Sequence, residues 1–498
     1  MKNENYKNSK STQDDSSRPS QLATLAKETL YNSTAQSIFK LFDTRNSLLK
    51  LIIVLYLIMS SSLSAYLIIK SYMSFLSYEA YTTTTTAYDI PSKFPTVTIC
   101  NRAQFTTEAA IEFLKKINRQ ILPNIDVFDE NLMKNLTYTD KRKYLNQVRN
   151  AGIMEMKDVE RLSHYKKDMI LSCSFNGDEC SLNEDITLTF DDNYGTCFVF
   201  NSGKNSTEYS VKQKYSFMKG MDYGLRLVIY VNYHEKLSHI NSIGALGLKI
   251  RINNSSFITD DTSNGIRASA GEETDIKLNR EFKFHIPKPY SNCDIDNESP
   301  QKFDSYLYDL ILQSPYAYNQ DFCFRQCRQK HVIDKCNCSL HWFSVFNSSD
   351  CLTPAETSCM NEAKGKFFSV ESDFLYSCSS LCPLECNSSY ISASVSTNKI
   401  IGDLYADYIR ENRNLSRDFV KRPINPETAR DSIIKLNIFY ENLTYSLSVD
   451  TPKMDWISLF AYIGGILGLF LGISVFSFFE ILILLIEIIY SKTNNNKI

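Results

Sequence analysis

Histidine is scarce in this 498-residue chain, six in all, and neither a Ser/His/Asp context nor a Gly-rich phosphate loop occurs, so nothing is arranged for catalysis. Excess charge of one sign is missing too. The 54 Lys and Arg against 56 Asp and Glu leave a formal net charge of -2, without the basic footprint of a nucleic-acid binder. Cysteine is absent before Cys100 and after Cys386. We therefore expect no enzyme, no cofactor, no metal site and no nucleic-acid partner.

What the sequence does contain is two long apolar runs. Leu48 to Ile69, LLKLIIVLYLIMSSSLSAYLII, and Ile457 to Tyr490 carry few charges, and each can span a hydrocarbon core about 30 Å thick. The first is not a cleaved signal peptide: about 47 mostly polar residues precede it, it exceeds the usual apolar core, and no small-residue cleavage pattern follows. All 14 cysteines lie between the runs, an even count segregated as an oxidising compartment produces. The CFRQC and CNC spacings would suit zinc in isolation, but an exported domain favours disulfides. N-x-[ST] sequons at Asn135, Asn205, Asn253, Asn254, Asn347, Asn387, Asn414 and Asn442 fall in the same stretch, and Asn32 in the N-terminal tail. Lys27, Lys40, Arg45 and Lys50 before the first run, and Lys492 and Lys497 after the second, place both tails in the cytoplasm.

The expected organisation is a cytoplasmic tail over 1–47, a transmembrane helix over 48–69, a disulfide-rich, glycosylated extracellular domain over 70–456, a second transmembrane helix over 457–490 and a cytoplasmic tail over 491–498. Residues 1–20 lack apolar anchors and read as disordered, whereas 24–49 alternate at helical spacing. YTTTTTAYDI and FPTVTICN read as extended chain, and TEAAIEFLKKINRQIL as a helix. YGLRLVIYVNY, EFKFHI and SIIKLNIFYENLTYSLSV read as strands, the last leading straight into the second apolar run. That junction either couples the outer domain to a pore or merely ends the fold.

Six motifs occur in order between the two runs: FPTVTICN at Phe94 to Asn101, CSFNGDEC at Cys173 to Cys180, YGTCFVFN at Tyr194 to Asn201, PYSNC at Pro289 to Cys293, CPLECNSSY at Cys382 to Tyr390, and GLFLGISVFSFFE at Gly468 to Glu480. On these motifs the chain resembles the degenerin/epithelial sodium channel superfamily, which includes acid-sensing and peptide-gated channels. The resemblance implies an α+β membrane protein in which two transmembrane helices flank a disulfide-rich extracellular domain with a β core and peripheral helices, assembled as a trimeric channel. It also implies seven disulfides: Cys100 to Cys197, Cys173 to Cys180, Cys293 to Cys386, Cys323 to Cys382, Cys327 to Cys378, Cys336 to Cys359 and Cys338 to Cys351.

GGILGLFLGISVFSFFE packs four glycines and two serines into seventeen apolar residues. Gly464, Gly468 and Gly472 recur every fourth residue, as at close helix contacts in membranes. Length adds a second constraint: about 34 residues at about 1.5 Å each exceed the core thickness, so the segment must tilt strongly or break. A break frees carbonyls, which is tolerated where they face protein or a water-filled path. Under the resemblance Gly472, Ile473 and Ser474 form the selectivity filter, and Glu480 attracts cations just inside it. Glu487 lies nearer the inner edge. Asp455 is either one of a ring of three carboxylates at the outer mouth or a solvated turn residue. Ala461 matches the small residue whose enlargement hinders closure, and it precedes the Gly464-Gly465 pair.

Two positions depart from the family pattern. Gln36-Ser37 replaces the cytoplasmic His-Gly pair tied to gating, which bears on whether this subunit opens alone. Tyr462 stands where acid-sensing relatives carry a carboxylate, which disfavours proton gating; Asp260-Asp261 and Glu272-Glu273 read as solvated loop pairs. The reading that follows is a trimeric, amiloride-sensitive, sodium-permeable channel in the plasma membrane, opened by an extracellular ligand such as a neuropeptide. Its partners would be homologous subunits in a homo- or heterotrimer, membrane lipid, a peptide agonist, amiloride as blocker and sodium as the permeant ion. The alternatives are an accessory subunit that conducts only in heteromers and a proton-gated or mechanically gated channel of the same family. Outside the family, a two-span lipid-binding scavenger receptor predicts a plain second span without a glycine ladder. An ATP-gated purinergic-type channel lacks its lysine-lined site and cysteine spacing here.

Overall fold

The computed structural model describes residues 46–494 except 103–106, 156–161, 163, 192–194, 203–212, 232–246, 254–264, 295–302, 315–317, 340–343, 352, 368–373 and 412–424. Gln36, Ser37, Asn32, Asn205, Asn254, Asn414, the Asp260-Asp261 pair and the readings of residues 1–20 and most of 24–49 lie outside these residues. The described chain forms two compact units, one of residues up to Tyr81 and from Thr451 onward, the other Thr82–Asp450.

Helix α1, Ser47–Leu76, opens where Asn46 accepts a hydrogen bond from the Leu48 amide, and it alone among the described helices combines the length and apolar composition needed to cross a membrane. It continues past Ile69, the end of the apolar run, because Phe75 is buried against the Trp456 ring, with centroids 4.5 Å apart. A contact distant in sequence thus sets the end of the helix.

Strands β1 (Ala80–Tyr88), β2 (Ser92–Lys93) and β3 (Thr96–Asn101) follow. Helices α2 (Glu108–Ile121), α3 (Glu130–Lys134) and α4 (Tyr138–Glu155) then share a small core of Leu114, Ile117, Val127, Met133, Leu145 and Val148. Thr107 caps α2 by accepting from the Ala110 amide. After α5 (Lys166–Met169) come β4 (Ile170–Phe175), β5 (Asp178–Glu179), β6 (Ile186–Asp191), β7 (Gly195–Phe200), β8 (Tyr215–Ser216), β9 (Leu225–Tyr230), β10 (Leu248–Asn253), β11 (Ile266–Ala268), β12 (Glu272–Phe284) and β13 (Cys293–Asp294). Helices α6 (Tyr306–Leu312), α7 (Gln320–Cys336), α8 (Pro354–Phe367) and α9 (Phe374–Leu381) precede β14 (Leu384–Glu385) and β15 (Asn387–Lys399). Helices α10 (Gly402–Glu411) and α11 (Pro426–Arg430) lead to β16 (Ile433–Pro452), then α12 (Trp456–Leu471) and α13 (Val475–Asn494).

Two sheets carry the main core of the Thr82–Asp450 unit. One runs β15-β12-β16-β9-β4-β5 with β1 added along β16; the other runs β11-β10-β3-β7-β6. The first half of β16, Ile433–Tyr440, is nearly all buried, as a strand covered on both faces requires. Its neighbour β12 lies parallel, and the register shifts between Leu278 and Arg280. Phe94 fills the centre of the core, meeting Phe175 and Tyr440 edge-on with centroids 4.9 and 5.8 Å away.

The helical part of this unit is held differently. Asn319 caps α7, and Asn337, at φ 53°, ends it in the left-handed conformation. Cys323 and Cys327, one turn apart on α7, bond Cys382 and Cys378 of the antiparallel α9 end; Cys336 bonds Cys359 of α8, and Cys338 bonds Cys351. Cys293–Cys386 closes the base of this ladder, while Cys100–Cys197 and Cys173–Cys180 lie in the sheets. Sequon residues Asn135, Asn347, Asn387 and Asn442 are exposed, and Asn253 is half-buried.

Candidate functional site

The apolar segment from Trp456 to Asn494 is two helices, not one. Asp455 caps the first, its carboxylate accepting from the Ser458 amide at 2.8 Å, and bonding to Ser458 holds that carboxyl below its usual range. Leu459 is buried, whereas Ala461 and Tyr462 are exposed on the next turn. A Cβ added at Gly464 or Gly465 would meet nothing within 4 Å among the described residues; one at Gly468 would touch the Ile473 carbonyl at 3.6 Å.

Three of the four glycines stay helical, and the fourth ends the helix. Gly472 sits at φ 69° and ψ 17°, a left-handed conformation in which an L side chain is strained. Its amide bonds the Gly468 carbonyl at 3.1 Å and the Ile473 amide bonds the Leu467 carbonyl at 3.3 Å, closing the last turn of α12. Gly472, Ile473 and Ser474 then run outside any helix before α13 begins at Val475.

This gap separates a pair of groups that an unbroken helix would join. The Phe470 carbonyl, four residues before Ser474, instead accepts the Ser60 hydroxyl of α1 at 2.5 Å. The Ser474 amide instead donates to the Ser477 hydroxyl at 3.1 Å, while the Ser477 amide returns to the Ser474 carbonyl at 3.0 Å. Ser60 and Ser477 are 4% and 5% exposed, so neither hydroxyl has water as its ready partner. Glu480 is half-buried in the second turn of α13; Glu487 belongs to the same helix, its side chain lying outside the described ones.

Sequence reasoning singled out Gly472, Ile473 and Ser474, which lie together at the interruption. It passed over Ser60 and Ser477. The signals were present in Ser474-x-x-Ser477, which has the spacing of a helix N-cap, and in a serine cluster inside an apolar run, where a hydroxyl needs a protein partner.

The Thr82–Asp450 unit also holds a cavity of about 420 Å³ whose lining includes Arg251, Asp321, Glu385, Ser388 and Tyr390. Burial raises the Glu385 carboxyl above the usual range, which favours its protonated form.

An apolar helix long enough to span a bilayer, a second apolar segment broken at a left-handed glycine and, between them in the chain, a cystine-rich β unit are the features that set the class of this protein. The chain belongs to the family described as "Amiloride-sensitive sodium channel", which it matches over residues 29–484. It is 25% identical to degenerin mec-10 of Caenorhabditis briggsae over 72% of this chain and 46% of that protein. It is 26% identical to the degenerin-like protein asic-1 of Caenorhabditis elegans over 71% of this chain and 40% of that protein. To the epithelial sodium channel subunit beta of Xenopus laevis it is 26% identical over 63% of this chain and 46% of that protein. The chain thus spans less than half the length of these relatives.

Proposed function

We propose that this chain is a subunit of a trimeric, amiloride-blocked, sodium-permeable cation channel of the plasma membrane. Both tails are cytoplasmic, the Thr82–Asp450 unit is extracellular, and the second apolar segment lines the ion path. The observation that carries this reading is the break at Gly472 in a segment that otherwise favours continuous helix. Three copies around an axis bring Gly472, Ile473 and Ser474 together as a narrow ring in which carbonyls and hydroxyls replace part of the hydration of sodium. Glu480 below the ring and Asp455 at the outer mouth raise the local cation concentration, and no residue has to do covalent chemistry. The open face at Gly464 and Gly465 suits the close approach of a neighbouring subunit.

An extracellular ligand, foremost a peptide, opens the pore by binding the open state more tightly than the closed one. The cavity beside Glu385 has room for one or two side chains, and Asp321 and Glu385 in its lining offer acceptors to a donor group on such a ligand.

Voltage clamp of cells expressing the full chain, with amiloride present or absent, during a panel of neuropeptides and steps to acid pH, tests the reading. An amiloride-blocked inward sodium current is expected under a peptide. Silence despite surface labelling, with current restored by a related subunit, favours an accessory role, which Gln36-Ser37 in place of His-Gly also suggests. Surface protein that gives no current alone or with partners overturns the channel reading.

A further inference from the structure

We infer that Ser60 of α1 is a positioning residue for the ion path: its hydroxyl holds the Phe470 carbonyl and thereby keeps the second apolar segment open at Gly472. This rests on the channel reading above. The argument begins with what α1 buries. Its leucines and isoleucines are largely exposed, whereas Ser60, Ser64 and Phe75 are buried, an inversion suited to a helix surrounded by lipid. The serine pair is one turn apart on the helix that packs against α12.

In a continuous helix the Ser474 amide would donate to the Phe470 carbonyl. Here both halves of that bond are taken over by serine hydroxyls, Ser60 donating to the carbonyl and Ser477 accepting from the amide. Both of these groups are thereby satisfied in an apolar setting, which removes their share of the desolvation cost that would otherwise drive the helix to close. Gly472 permits the turn, Ser477 satisfies the lower side and Ser60 the upper.

The geometry separates Ser60 from Ser477 in function. Ser477 belongs to the same segment and caps α13 locally, whereas Ser60 comes from 410 residues away and ties the position of α1 to the orientation of one carbonyl next to the filter. Loss of the Ser60 hydroxyl frees the Phe470 carbonyl to turn toward the ion path or back toward the Ser474 amide. Both outcomes change the number of oxygens presented to a cation.

The test uses the full-length chain with Ala461→Phe, a substitution chosen to hold the pore open without an agonist, and compares Ser60→Ala and Ser60→Thr. Ser60→Ala is expected to lower the sodium-over-potassium permeability ratio about fivefold, the effect of one lost hydrogen bond, while Ser60→Thr retains it. Hydrogen exchange of the purified chain in lipid nanodiscs supplies a readout independent of current. Exchange at the Ile473 and Ser474 amides is expected to change in Ser60→Ala, faster where the freed Phe470 carbonyl turns to the ion path and slower where it rejoins the Ser474 amide, and to stay at the parental rate in Ser60→Thr. A selective parent with Ser60→Ala unchanged in both ratio and exchange overturns the inference. Altered exchange in a chain that never conducts, alone or with related subunits, upholds the serine clamp and overturns the channel reading instead.

Discussion

The two apolar segments answer the same demand in opposite ways. Helix α1 stays continuous over 30 residues although Ser60, Ser61, Ser62 and Ser64 interrupt its apolar run; the later segment, with fewer hydroxyls, breaks. Polar side chains therefore do not break a helix in such a setting. Ser61 shows why, since its hydroxyl bonds the Ile58 carbonyl one turn back and is satisfied inside the helix. A break needs a residue that can adopt a left-handed backbone together with outside partners for the groups it exposes, and only the later segment has both at one place.

The largest effect is expected where the left-handed turn itself is denied. Gly472→Val places a β-branched residue at φ 69°, with strain of about 2 kcal/mol or more, and should abolish or invert sodium-over-potassium selectivity while surface labelling persists. An unchanged reversal potential would detach the break from permeation. The converse experiment moves a glycine into the unbroken helix. Ser62→Gly should cost about 0.5 kcal/mol of helix stability yet leave α1 continuous, because among the described residues no hydroxyl from another element bonds the carbonyls of this stretch, and slow exchange across 58–66 would show it. Ser477→Ala removes one partner and keeps the glycine. A loss of about 1 kcal/mol at the α13 start should appear as faster exchange of the Ser474 amide and a smaller selectivity change than Gly472→Val.

The smallest contrast lies in the two caps. Asn46 caps α1 with a neutral amide, and Asp455 caps α12 with a carboxylate held below its ordinary pKa by Ser458. A lowered folded-state value gives stability that is present above the unfolded pKa, about 4, and is lost as pH falls through the lower one. Protection of the amides in the first turn of α12, taken relative to their intrinsic exchange rates, should therefore stay flat from pH 7 to about 5 and fall only in stronger acid, with no such fall at α1. Asp455→Asn should remove the difference.

Much of this architecture is legible in residue order, and the rest fails to be for identifiable reasons. β-branched and aromatic runs mark β3, β9, β12 and β16, but nothing local says that β12 and β16 lie parallel with a shifted register, because their pairing spans about 160 residues. The length of the later apolar segment and its glycines say that it bends or breaks; its place at Gly472, Ile473 and Ser474 comes from the family resemblance and not from local chemistry. Gly464, Gly465 and Gly468 have the same local chemistry as Gly472 and remain helical, since the choice depends on which carbonyl finds a hydroxyl on another helix. Ser60 is invisible to periodicity for the same reason. The end of α1 is missed because the Phe75–Trp456 contact joins residues far apart in the chain.

The nested cystines also impose a schedule. In a chain fed N-terminus first into an oxidising compartment, Cys338 finds Cys351 after 13 residues and Cys336 finds Cys359 after 23, whereas Cys327, Cys323 and Cys293 wait for partners 51, 59 and 93 residues on. Partners arrive in the order in which the rungs nest, from the innermost outward, so each closure shortens the loop left for the next. The three thiols that wait longest stand exposed together until residue 378 emerges. Translation speed and the thiol chaperones that meet the chain during that interval become determinants of how much protein leaves the compartment correctly paired.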